Sequence, residues 1–129
     1  MTSVSQQALG PDLDTDDAAG ALLDDLTAHD LLVDASTRRR AEYSYDASNY
    51  RVPPLAVVFP RNADEVALTA RLCHRHGVPI IARGGGTSMA GNAIGAGIVI
   101  DLSRHMRTVG VVDATHARSP PMPGSVLTE

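Results

Sequence analysis

Apolar positions along the chain fall into two rhythms. Ala19, Leu22, Leu23 and Leu26 recur at the i, i+3, i+4, i+7 spacing of one helix face. That spacing predicts a helix over 16–29. Thr15 or Asp16 is its expected cap, and Asp16 and Asp17 sit in the first turn, where the helix dipole favours anions. Val66, Thr69, Ala70, Leu72 and Cys73 mark a second helix over 63–76, with Arg71 and Arg75 facing away. Asn62 opens it, Glu65 follows three residues on in a variant of the capping box, and Gly77 stops it. Short apolar runs predict strands near 55–59, 78–82, 97–101 and 108–113. The strand, helix and strand over 55–82 form a β-α-β unit, so the two strands are expected to be parallel with a right-handed crossover. Residues 38–54 carry Tyr43, Tyr45 and Tyr50, end at Pro53-Pro54, and are expected to be an ordered loop. Residues 1–14 are polar and aperiodic and are expected to be disordered. Pro120, Pro121 and Pro123 cannot donate ladder bonds, so 117–124 is not expected to be a regular central strand. The fold class is α+β, a small mostly parallel sheet with flanking helices.

Composition narrows the functional classes. The chain has 129 residues, 43% hydrophobic and 20% charged, which suits one small globular domain. A net charge of −4 argues against a nucleic-acid partner. No apolar run reaches the ~18–20 residues needed to span a bilayer. No secretory signal is visible at the N-terminus either, so a soluble cytoplasmic protein is expected. One cysteine, Cys73, allows neither an internal disulfide nor a multi-cysteine metal site. All eleven basic side chains are arginine, which rules out chemistry that needs a lysine amine.

One segment carries chemistry: Arg83-Gly84-Gly85-Gly86-Thr87-Ser88-Met89-Ala90-Gly91-Asn92. Three glycines directly after a predicted strand let the backbone approach a ligand closely. Successive free amides in such a turn make an anion-binding nest. Thr87 and Ser88 add hydroxyls, and Arg83 adds a fixed positive charge that is a candidate phosphate contact. The dinucleotide fingerprint of alternating glycines fails at Met89, and the lysine-containing phosphate loop fails for want of lysine. Spacing alone reaches a phosphate or pyrophosphate; a plain surface turn is the competing reading.

The same stretch, followed by Val99-Ile100-Asp101-Leu102-Ser103-Arg104, resembles the para-cresol methylhydroxylase-type (PCMH-type) FAD-binding domain, which is shared with vanillyl-alcohol oxidase. Within that superfamily it is most similar to the D-lactate dehydrogenase and glycolate oxidase flavin-subunit branch. Tyr45-Asp46-Ala47-Ser48-Asn49-Tyr50, the Pro54 to Val66 segment and His76-Gly77-Val78-Pro79 extend the likeness over roughly 20–113. The resemblance implies FAD, with its pyrophosphate wrapped by Gly84, Gly85, Gly86, Thr87, Ser88, Gly91 and Asn92, and with Gly124 of a later Pro-Gly turn also touching it. Some relatives tether the flavin through a histidine in this loop; Thr87 and Ser88 stand here instead, which implies a non-covalent flavin.

The implied organisation is a disordered N-terminus over 1–14, a helix and lead-in over 15–49, and a partial FAD-binding domain over 50–129. The implied activity is oxidation of a small 2-hydroxy acid, D-lactate or glycolate in type, by hydride transfer to flavin. The segments expected to meet the isoalloxazine ring and the substrate would lie beyond residue 129, so no residue here is assigned a catalytic role and the chain alone is expected to be inactive. Two alternatives stay open: a same-fold flavoenzyme on another substrate, such as an alcohol, a sugar or a nucleotide-sugar enol ether, and a non-catalytic fragment with only a phosphate loop.

The remaining candidates read as structural. His74 and His76, two apart on a helix, point to different faces and cannot share a metal. Cys73 is expected in the core, the three tyrosines are expected to pack the lead-in, and Asp101 is expected to cap a turn at a strand end.

Overall fold

A computed structural model describes residues 13–116 and 118. The expectations for 1–12 and for 119–124, including Gly124, lie outside them. Helix α1 runs Leu13–Ala28, starting earlier than expected, so Thr15 and Asp16 fall within it rather than capping it. A short strand β1, Val33–Asp34, and a helix α2, Thr37–Glu42, follow. Strand β2 is Ala56–Val58, helix α3 is Ala63–Arg75, strand β3 is Ile80–Arg83 and strand β4 is Ile98–Asp101.

The sheet order is β1-β2-β4-β3. β2 and β3 each pair parallel with β4, which lies between them, and β1 adds an antiparallel edge. β4 is buried along its whole length, as are all three residues of β2, which is why both read as unbroken apolar runs. One face carries Ala56, Val58, Ile98 and Ile100 against Leu22 and Leu26 of α1 and Leu72 and Cys73 of α3. The other carries Val57, Val99 and Ile81, packed with Phe59 and Tyr43.

The two long helices bury the stripes their spacing predicts. Asn62 caps α3 by accepting the Glu65 amide at 2.9 Å. The Glu65 carboxylate returns to the amide of Arg61 rather than to that of Asn62, at 2.8 Å, which makes this a shifted capping box. Burial pushes the Cys73 thiol up to about 11, in keeping with a core role.

Two local readings are corrected and one short strand is added. Residues 38–54 are not all loop, because Ser36 accepts the Arg39 amide and starts α2. The pair Val33–Asp34, too short to show periodicity, becomes a strand by docking on β2 in register with Val57 and Val58. Residues 108–113 form no strand of the sheet; Val109, Val111 and Val112 are exposed, and Asp113 instead bridges Arg118 across a tight turn. An apolar run of β-branched residues becomes a strand only where a neighbouring edge receives it.

Candidate functional site

Parallel neighbours need a crossover of about a dozen or more residues. Between β3 and β4 that crossover is the glycine loop itself, residues 84–97, without a helix. It leaves from the carboxyl end of β3, the side of an open parallel sheet where ligands bind. Arg83 and Asp101 stand opposite each other as the last residues of their strands.

The loop is shaped from both sides. Gly86 has φ +70° and Gly91 has φ +80°, left-handed conformations that disfavour any side chain. A Cβ on Gly91 would meet the Tyr50 ring at 3.0 Å, and one on Gly86 would overlap the Arg83 guanidinium. Gly84 faces open space, and a Cβ on Gly85 would touch only the Thr87 methyl, at 3.7 Å. Within the loop, Ser88 Oγ accepts the amides of Ala90 at 3.3 Å and Asn92 at 3.1 Å. Among the described residues, no group accepts the amides of Gly85, Gly86, Thr87 or Ser88. Four successive donors with room at Gly84 and Gly85 suit an anion such as a pyrophosphate. The predicted residues Arg83 to Ser88, Gly91 and Asn92 thus lie at the end of β3 and in the loop that follows it.

The lead-in segment forms a wall that the sequence does not reveal. Asp46 accepts the amide of Ala93 at 3.3 Å and that of Ser48 at 2.8 Å. Hydrogen bonding from Ser48, with the Ala93 amide and the Arg83 charge behind it, holds the Asp46 carboxyl below the usual aspartate range. Arg83 Nη1 donates to Tyr45 O at 2.9 Å and to Ala93 O at 3.2 Å, and its guanidinium lies 4.9 Å over the Tyr43 ring. The only sequence signal for this wall is the run Tyr45 to Tyr50, which carries no chemistry of its own.

Asp101 is 5% exposed and fully occupied: Ser103 donates its amide and its hydroxyl to Oδ1, and Tyr43 donates its hydroxyl to Oδ2. It closes a turn at the end of β4, as expected. Away from the loop, a cavity of about 320 Å³ beside α2 is lined by Thr37, Arg40, Ala41, Ser44, Arg51 and Pro53, none of them in the glycine segment. His76 Nε2 lies 2.6 Å from Asp25 Oδ2, joining α3 to α1.

Comparison with known proteins identifies the family. The model of the FAD binding domain family matches residues 54–126. The glycolate oxidase subunit GlcD of Bacillus subtilis is 36% identical over 98 residues, covering 74% of this chain and 21% of that protein. The D-2-hydroxyglutarate dehydrogenase of Escherichia coli is 47% identical over 73 residues, covering 54% of this chain and 7% of that protein. The chain thus spans about a fifth or less of these two relatives. Among solved structures, an alkyldihydroxyacetonephosphate synthase shares the fold at TM-score 0.64 and 23% identity, over 74% of this chain and 21% of that one. The glucooligosaccharide oxidase of Acremonium strictum, whose FAD is described as 6-S-cysteinyl and 8α-N1-histidyl, aligns at TM-score 0.62 and 25% identity, over 84% of this chain and 22% of that one. With the family model covering more than half of its residues, the chain belongs to the FAD binding domain family.

Proposed function

We propose that residues 50–129 are the N-terminal part of the FAD-binding domain of an oxidoreductase that acts on a small 2-hydroxy acid, of the D-lactate or glycolate type. The observation that carries the reading is the set of four amides, Gly85 to Ser88, without partners among the described residues, beside the open faces of Gly84 and Gly85. These amides hold the pyrophosphate, and Thr87 and Ser88 add hydroxyl donors. Ser88 Oγ accepts two loop amides and keeps its own proton to donate to a ligand oxygen. Gly91 and Asn92 carry the loop past the Tyr50 wall, and Gly124 completes the contact from outside the described residues. FAD supplies the hydride-accepting ring. The chain's own part is to bind and orient the cofactor, and no residue in it is assigned to the chemical step.

The loop's own chemistry supports non-covalent attachment. Residues 84–97 contain neither histidine nor cysteine, and Cys73 is buried among the helices. The substrate class rests on the relatives at 36% and 47% identity, which are named for glycolate and D-2-hydroxyglutarate. The sugar oxidases among the structural neighbours are more distant, so a sugar is the weaker reading. No described helix is long and apolar enough to cross a membrane, and a cytoplasmic location is part of the proposal.

The test is a titration of isotope-labelled 129-residue chain with inorganic pyrophosphate and with FAD, followed by amide chemical shifts. Shifts centred on 84–92 are expected at weak, millimolar-range affinity, because part of a flavin site buries too little ligand to offset its immobilisation. Shifts confined to other regions, or none at all, would overturn the assignment.

A further inference from the structure

The arginine that opens the loop is the natural candidate for a direct phosphate contact, but its surroundings assign it different work. Its Nη1 is already shared between two main-chain carbonyls, Tyr45 O from the lead-in wall and Ala93 O from the far limb of the loop. The guanidinium lies over the Tyr43 ring, whose hydroxyl is in turn fixed by buried Asp101. Its Nη2 side fills the space that Gly86 leaves by lacking a Cβ, so the loop turns directly over the guanidinium at φ +70°.

We propose that Arg83 is a positioning residue for the pyrophosphate site: it holds both limbs of the loop from beneath and does not touch the phosphates. The inference rests on the flavin reading given above. Its physical basis is the polarity of the peptide group. A loop that offers successive amides to an anion must keep its carbonyls away from it, since carbonyl oxygens repel negative charge. Arg83 Nη1 turns one loop carbonyl, Ala93 O, inward and ties it to Tyr45 O of the lead-in, which leaves the four amides of 85–88 for the ligand. Its charge still favours an anion nearby, through space. Tyr43 and Asp101 hold the guanidinium in place, so the ends of β3, β4 and α2 are coupled through one side chain. A lysine could supply the charge but not a planar group that fills the space beneath Gly86 and lies over Tyr43 while one of its nitrogens reaches both carbonyls.

Three single variants of the 129-residue chain test this: Arg83→Lys, Arg83→Met and Gly86→Ala. The last leaves Arg83 in the sequence but puts a methyl where its guanidinium lies. Without ligand, amide hydrogen exchange at Asn92 and Ala93 is expected to accelerate at least tenfold in all three, while Ile98 to Ile100 in the central strand stay protected. Pyrophosphate-induced shifts at 85–88 are expected to be lost equally in the lysine and methionine variants. Unchanged exchange at Ala93 would overturn the proposal, and so would recovery of the pyrophosphate shifts by lysine alone. Where the Arg83 variants lose protection throughout the sheet, Gly86→Ala decides: loop-confined acceleration supports the strut and unchanged exchange refutes it. Absence of pyrophosphate shifts in the unsubstituted chain counts against the flavin reading instead, so the two failures are distinguishable.

Discussion

The hydroxyl of Tyr43 donates to the buried carboxylate of Asp101, joining the C-terminal end of α2 to the end of β4 across 58 positions of sequence. The contact closes the second face of the sheet, where Tyr43 also meets Phe59 edge-on at 6.0 Å between ring centres. Desolvation first, then the bond to Asp101, pushes the Tyr43 phenol up to about 12.

Removing that hydroxyl leaves Asp101 one donor short in a buried place. Tyr43→Phe is expected to cost about 1–3 kcal/mol, read as a lower midpoint in urea unfolding with an unchanged slope. The raised phenol also sets a sign: its stabilisation is complete below the ordinary tyrosine range and fades as pH rises toward about 12. Spectrophotometric titration should show one tyrosine step near pH 12 in the parent chain that is missing in the variant. An identical titration in both would disprove the assignment.

Asp25 gives the opposite dependence. Its bond to His76 holds the carboxyl below the ordinary aspartate range. The contribution is therefore present above about pH 4 and is lost as pH falls through the lowered folded value. Asp34, Asp46, Glu65 and Asp113 are lowered as well, so acid should destabilise the chain steadily below pH 4. Asp25→Asn should flatten part of that slope in thermal melts recorded from pH 5 down to pH 2. A slope as steep as the parent's would count against the pair.

Leu26 is fully buried on α1, against the sheet face that carries Val58 and Ile98. Leu26→Ala should cost about 2–5 kcal/mol. In so small a core that loss is a large share of total stability. Denaturant unfolding of the variant checks the figure, and a change under about 0.5 kcal/mol, the scale of surface substitutions, would show that α1 is not docked as described.

Gly85→Val separates binding from folding. The new side chain meets only the Thr87 methyl within the protein, yet it stands on the open side of the amide nest. The melting temperature should change little. The pyrophosphate and FAD shifts at 84–92 should weaken at least tenfold. Retained shifts would place the anion elsewhere.

What the sequence determined by itself is the local part. The spacing of Leu22, Leu23 and Leu26 and the pair Asn62 and Glu65 foretell both long helices, because side-chain periodicity and capping act within a turn or two. The runs around Val57, Ile81 and Val99 foretell three strands, and the triple glycine marks the loop, whose turn at Gly86 takes a left-handed backbone that disfavours any side chain. Tertiary structure decided the rest. Val33 and Asp34 are a strand only because β2 offers them an edge, whereas 108–113, more apolar and longer, finds no edge in this sheet. The insertion of β4 between β2 and β3 depends on which strand buries both faces best, a property of the whole sheet. The partners of Arg83 come from positions 38 residues before it and 10 after it, and no spacing rule connects them. A charge beside a glycine loop reads in sequence as a ligand contact. Only packing shows that its Nη1 is already shared by two carbonyls and that its guanidinium lies over a tyrosine ring.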